Sequence, residues 1–308
     1  MRILVTGVNG FIGRTFAAFA GERGHHVVGA DIGPAAASGW DHHELDVRDA
    51  DALRALLQAE SITDIVHGGG ISGPHVANEN PPLVVDVNLV GTVGLFEAAR
   101  RVGLPGRVVL LSSSSTYGRA WEERSLTREC METDALLASE PYGSSKVASE
   151  ALMRAYIDQF DLDAVALRVS IVYGPRRTTY CGITEMITAA RTSGVITLHQ
   201  RADQPLPWVH ISDVCAVLEA ALTAPRADLG ADGVFAYNVT GPGHPTFVQI
   251  AEAIVAELPG TTVESGDEPD AYDMNARSMS VAAAERDLRW TPQVTIERGV
   301  ADLVRASE

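Results

Sequence analysis

The stretch Thr6-Gly7-Val8-Asn9-Gly10-Phe11-Ile12-Gly13 decides the fold of this 308-residue chain. It follows the β-branched run at 3–5 at once and leads into a helical pattern over 14–20. Gly7, Gly10 and Gly13 suit a tight turn, a close backbone approach to a pyrophosphate, and close packing of a helix on a strand. The helix start, with Phe11 and Ile12, offers free N–H groups and about half a unit of positive charge to the phosphates. The next apolar run, 27–30, ends in Asp31, where a carboxylate accepts hydrogen bonds from the adenosine ribose hydroxyls. Asp31-Ile32-Gly33 has no adjacent Arg or Lys to pair with a 2′-phosphate. The expected cofactor is therefore NAD rather than NADP.

Working outward, short apolar runs recur at 65–66, 108–111 and 164–169, and helix-period patterns such as Leu53, Leu56, Leu57 and Val93, Phe96, Ala99 lie between them. Apolar strands alternating with helices imply crossovers and a parallel sheet covered on both faces. The expectation is a doubly wound, Rossmann-like α/β domain over 1–172. After Gly174-Pro175 the pattern loosens, and 173–308 reads as a smaller, partly helical substrate-binding region with returns to the core near 207–240. Helices are expected at 183–191, 214–222 and 247–258, and Tyr237-Asn238-Val239 as a returning strand. The acidic run from 264 to 270 reads as a solvated loop.

With 46% hydrophobic and 21% charged residues, the chain is neither a disordered polymer nor a disulfide-held miniprotein. Its 24 basic and 40 acidic residues leave a net charge of −16, which repels nucleic-acid backbones and anionic membranes in the absence of a segregated basic patch. Neither partner is expected. Cys130, Cys181 and Cys215 lie far apart without zinc-like spacing, which fits a reducing cytoplasm. No export signal opens the sequence and no apolar run approaches the ~20 residues of a membrane span, so a cytoplasmic protein is expected. His25-His26 and His42-His43-Glu44 read as surface or strand-end groups, with no metal site. Among the basic residues only Lys146 is a lysine; the rest are arginine.

That lysine falls four residues after Tyr142 in a helical stretch over 142–160, so phenol and ammonium share one helix face. Turning a phenol of pKa about 10 into a base near neutrality asks for about 4 kcal/mol, which a unit charge roughly 4 Å away at a dielectric of ~20 supplies. Tyr142 then takes a proton from a substrate hydroxyl while hydride leaves the same carbon for the nicotinamide. Ser112-Ser113-Ser114-Ser115 stands at the carboxyl end of an apolar strand, where open α/β sheets bind ligands. A hydroxyl there stabilises charge developing on the reacting oxygen.

Together these residues resemble the extended short-chain dehydrogenase/reductase superfamily, in particular its NAD-dependent epimerase/dehydratase family. The resemblance also rests on Asp46-Val47-Arg48-Asp49, His67-Gly68-Gly69-Gly70, Asn88 with Gly91-Thr92, Leu167-Arg168 through Tyr173-Gly174-Pro175, Val209-His210-Ile211-Ser212-Asp213-Val214 and Trp290-Thr291-Pro292. It implies Ser113, Tyr142 and Lys146 as the catalytic set, with Tyr142 and Lys146 also touching the cofactor. It further implies adenine contacts from Asp46 and Val47, a cofactor wall of Gly68, Gly69 and Gly70, and a nearby polar network around Asn88. A homodimer through the helices over 92–102 and 142–160 is implied as well. Ser72, Ser113, Ser114 and Arg177 are the candidate substrate contacts, Arg177 for a carboxylate.

The departures from the family pattern matter as much. Sugar dehydratases carry Asp-Glu after the catalytic hydroxyl, where this chain has Ser114-Ser115, which disfavours dehydration. Nucleotide-sugar enzymes often place Asn three residues after the strand-end arginine and Arg two residues before the aromatic of the aromatic-Ile-His motif; here those positions are Ile171 and Leu206. Losing a polar and a charge-assisted phosphate contact weakens a nucleotide-sugar reading. The expectation is net dehydrogenation at a secondary hydroxyl of a sugar, sugar acid or polyol. The alternatives are an NAD-retaining sugar or nucleotide-sugar epimerase and, in another class, a noncatalytic NAD-sensing or scaffold protein.

Overall fold

The first strand, β1 (Arg2–Thr6), is buried from its second residue on and lies between β2 (His26–Asp31) and β4 (Asp64–His67). This is a computed structural model, and it describes residues 1–36, 39–73, 79–118, 128–230, 232–267 and 278–306. With β3 (Asp41–Glu44), β5 (Val108–Ser113), β6 (Ala164–Val169) and β10 (Ala236–Val239), these strands form a seven-stranded sheet in the order β10-β6-β5-β4-β1-β2-β3. All its pairings are parallel. The order reverses between β1 and β4, and such a switch point opens a crevice at the carboxyl ends of the strands. The doubly wound, Rossmann-like expectation holds.

Helices cover both faces. On one, α1 (Phe11–Glu22) packs beside α6 (Ile211–Thr223), and the cluster there joins Ile3, Phe16 and Val165 to Val209, Val214, Leu218, Tyr237 and Trp290. The other face is covered by α2 (Ala50–Ala59), by a long helix α3 (Pro81–Val102) and by α4 (Pro141–Phe160), over Leu4, Leu53, Phe96, Leu110 and Met153. A second core surrounds Trp208, Phe247 and Val300; α5 (Gly182–Thr192), α7 (Phe247–Glu257) and α9 (Ile296–Ala306) supply most of it. The short helix α8 (Ala282–Leu288) returns to the first cluster through Ala284 and Leu288.

Three expectations need correction. First, β3 was not expected: its sequence Asp-His-His-Glu has no apolar residue, because it is an edge strand held by backbone pairing to β2. Second, the acidic run is not simply a loop. Glu264 and Ser265 belong to β11 (Thr262–Ser265), exposed along its length and paired with β8 (Val195–Leu198); 268–270 lie outside the described residues. A further small pair, β7 (Ile171–Tyr173) with β9 (Trp208–His210), was also too short to read from pattern. Third, α3 is long and apolar enough to cross a membrane by length and composition. It reaches that length because Val85–Val90 winds as a π-helix between two α-helical segments, joining them without a break. The buried part of α3 packs on the sheet through Leu95, Phe96 and Ala99.

Candidate active site

The glycine turn is built for close approach. Gly7 has φ +70°, and a Cβ there would lie 2.6 Å from the Gly68 carbonyl oxygen; a Cβ on Gly13 would lie 2.2 Å from the Gly7 oxygen. Strand, turn and helix therefore touch backbone to backbone, as a pyrophosphate cradle requires. Gly10 caps α1 without any side-chain hydrogen bond, leaving the amides at Phe11 and Ile12 uncovered by a capping group. The Asp31 carboxylate accepts from the Asn9 amide at 3.0 Å. Asn9 also ties down the chain after Asp31, donating to Pro34 O at 3.0 Å and accepting from Ala36 N at 3.0 Å. Nothing but its place inside the glycine turn marks Asn9 in the sequence.

Asp46 is held by Arg48 through the backbone amide at 2.9 Å and the guanidinium at 3.0 Å, which lowers its carboxyl below the usual range. Arg48 reaches on to Asp86 at 2.8 Å. Val47 is buried and faces Gly69 and Gly91, where any Cβ would meet its methyl groups within 3 Å. The Gly69 amide donates to Thr6 Oγ1 at 3.0 Å, and Gly70 lies against Asn88 Oδ1. Asn88, in the π-wound turn, grips Ile71 by both amide and carbonyl and donates to Ser145 Oγ, whose hydroxyl donates to Tyr142 O.

His67 completes this wall. The Thr92 hydroxyl donates to Asn88 O at 2.5 Å, so its oxygen can only accept from His67 Nε2, 3.0 Å away. His67 Nδ1 is then an acceptor for the Thr6 hydroxyl at 2.7 Å. Every donor points one way along the chain from Gly69 to Asn88. Burial, with Lys146 nearby, pushes the His67 pKa down to about 3, so it is neutral.

The catalytic candidates meet at the carboxyl end of β5. Ser113 and Ser72 lie close enough to the Tyr142 hydroxyl to favour its charged form as hydrogen-bonding groups. Ser113 Oγ also accepts from Ser115 N at 3.1 Å, which fixes its position at the start of a 3₁₀ turn, Ser114–Thr116. Helix α4 is started by Glu140, whose carboxylate accepts from the amides of Tyr142 at 2.7 Å and Gly143 at 2.5 Å. Gly143 lets α4 approach that turn: its Cβ would lie 2.5 Å from Ser115 O.

Lys146 is buried, 9% exposed, and its ammonium donates to Leu111 O at 2.9 Å. It sits 5.8 Å from the centre of the Tyr142 ring. This differs from the sequence expectation of a direct charge on the phenol. Burial raises the Tyr142 pKa, the Glu140 charge adds to that, and the Ser113 and Ser72 hydrogen bonds only partly offset it. Burial likewise lowers Lys146 to about 8, with Glu150 pulling the other way. Both groups pay for desolvation before any ligand arrives.

Behind Lys146 lies a buried ionic cluster. Glu150 accepts from Arg168 Nη2 at 2.7 Å and from the Ser112 hydroxyl. Arg168 Nη1 donates to Tyr117 OH and to Glu132 O, each at 3.0 Å, and Tyr117 donates to Asn238 Oδ1 at 2.6 Å.

Two of the candidate substrate contacts stand apart. Ser114 is buried and, unlike Ser113 and Ser72, does not act on the Tyr142 hydroxyl. The Arg177 guanidinium is held by Val172 O in the preceding strand β7 and by Thr179 Oγ1 in its own loop. Ile171 packs against the second apolar core and Leu206, 2% exposed, lies inside it.

The chain is similar to known proteins along nearly its whole length. The chain is 31% identical to UDP-glucose 4-epimerase of Mycolicibacterium smegmatis, over 99% of this chain and 97% of that one. A solved Thermus thermophilus UDP-glucose 4-epimerase in complex with NAD is 27% identical, covers 99% of this chain and 98% of its own, and superposes with a TM-score of 0.81. An L-threonine dehydrogenase from Cupriavidus necator shares the fold with a TM-score of 0.88 at 24% identity, each chain covered to 99%. Residues 3–239 match the model of the NAD dependent epimerase/dehydratase family, and the chain belongs to that family.

Proposed function

We propose that the protein oxidises a secondary hydroxyl of a sugar, sugar acid or polyol with NAD, and that its net outcome is dehydrogenation. The observation that carries this is the meeting of Ser72, Ser113 and Tyr142 at the end of β5, beside the buried Lys146. Ser113 and Ser72 orient the substrate oxygen, and Tyr142 takes its proton as the carbon–oxygen double bond forms. NAD bound in the glycine cradle, which its backbone spacing fits, supplies the acceptor for the hydride leaving carbon. Lys146 turns hydrogen bonds toward the nicotinamide ribose and contributes the positive charge that favours phenolate. Net dehydrogenation is supported by Ile171, packed against the second apolar core, and Leu206, buried inside it: neither side chain has a polar group to hold a nucleotide diphosphate.

The second reading is an NAD-retaining epimerase, favoured by the 31% identity with a UDP-glucose 4-epimerase along the full chain. Purified protein incubated with candidate sugars, sugar acids and polyols and excess NAD is followed at 340 nm, with product stereochemistry determined in parallel. Dehydrogenation accumulates NADH in step with a keto product. Inverted product without NADH would overturn it in favour of epimerisation.

We also propose a homodimer. Val85 and Val90 on α3 and Leu152 and Phe160 on α4 are exposed apolar side chains on two adjoining helices. A second copy of the same face would cover them.

A further inference from the structure

We propose that Glu150 is a positioning residue that keeps Lys146 charged, and that Arg168 and Ser112 fix the Glu150 carboxylate in place. Lys146 and Glu150 are one helical turn apart on α4, both buried, and both face the end of β5: the ammonium donates to Leu111 O and the carboxylate accepts from the next residue, Ser112. A buried ammonium with a single carbonyl acceptor is unstable against losing its proton. A fixed carboxylate one turn away opposes that loss. Arg168 gives Glu150 donors from Nε at 3.1 Å and Nη2 at 2.7 Å, while Tyr117 and the Glu132 carbonyl hold the other arm of the guanidinium. The charged groups around Lys146 are thus Glu150 on its own helix and Arg168 on β6, while His67 on β4 is neutral and Tyr142, one turn earlier on α4, stays a phenol.

The arrangement makes two substitutions act in opposite directions. Glu150→Gln removes the negative charge and leaves Arg168 uncompensated, so Lys146 loses its proton at lower pH. Arg168→Gln removes a cation close to Lys146 while Ser112 still holds the Glu150 carboxylate, so Lys146 holds its proton to higher pH. The inference rests on the proposed function only for its consequence in turnover. The charge on Lys146 is read without turnover, because the chain has a single lysine.

Protein labelled with ¹³C at lysine Cε gives one Lys146 side-chain resonance, titrated by NMR in the full-length chain without substrate. In the parent protein its midpoint is expected near 8. Glu150→Gln is expected to lower the midpoint by at least about half a pH unit, and Glu150→Asp to restore most of it. Where Glu150→Gln does not fold, Arg168→Gln carries the test with the opposite sign. A midpoint unmoved by a folded Glu150→Gln, or moved the same way by both, would overturn the proposal. Normal titration shifts with no oxidoreductase activity in any variant would instead count against the proposed function and leave the inference standing.

Discussion

At the residue scale, Lys146 and Tyr142 divide the work that one spacing in the sequence suggested. The i,i+4 pair is legible because a helix puts both on one face, but the ammonium lies 5.8 Å from the Tyr142 ring centre and bonds Leu111 O, a contact from helix to strand that spacing does not reveal. Tyr142→Phe is expected to keep NAD binding and lose about 10²-fold or more of kcat, the usual contribution of a positioned acid–base group. Lys146→Arg keeps the charge yet brings a wider, planar head into a pocket closed around Leu111 O. It should also cost turnover severely, and steady-state kinetics with NAD binding measured separately will show it. Since Tyr142 starts above its ordinary pKa, the oxidation rate should rise with pH above neutrality. The reverse reduction should fall over the same range, because it needs the phenol protonated. A flat oxidation profile across that range would argue against Tyr142 as the base.

At the element scale, contact between α4 and the turn after β5 sets the geometry. Gly143→Ala places a methyl 2.5 Å from Ser115 O, so helix and turn must separate. Overpacking of this kind costs about 1–3 kcal/mol. Chemical denaturation should show that loss, and kcat should fall more than stability alone explains because Tyr142 rides on the same turn of helix. The parallel strands are readable from sequence because sheet faces covered by helices demand continuous apolar runs, as in β5 and β6, buried along their full lengths. Polar Asp-His-His-Glu in β3 breaks that rule because an edge strand answers to backbone pairing alone. The π-wound turn was equally hidden: composition does not distinguish it, yet it sets Asn88 against Ile71. Asn9 as loop tether and the Arg168–Glu150 pair were also missed, since each joins segments that only the folded chain brings together, and Glu140 was missed because glutamate is not among the residues that usually cap a helix start.

At the scale of the whole molecule, pH and association become the informative variables. His67 is neutral in the folded chain with a pKa pushed down to about 3, whereas in the unfolded chain it protonates near 6.5. Between those values the unfolded state binds the extra proton, so His67 makes stability fall as pH drops below about 6.5, by up to about 1.4 kcal/mol per pH unit. His67→Gln should flatten the stability profile in that window, measured by urea unfolding from pH 6.5 to 4.5; an unchanged slope would remove His67 from the account. For the proposed dimer, Val90→Glu combined with Leu152→Glu is expected to give a folded monomer in sedimentation, and a parent chain already monomeric at micromolar concentration would end that proposal. The solitary, buried lysine has a use outside catalysis. A protease that cuts only after lysine finds one target in the entire chain, the Lys146–Val147 bond in the interior of α4. Cleavage must wait for that helix to open, so the nicking rate under native conditions reports the opening equilibrium of one helix, and ligands that close the site will announce themselves by slowing the cut.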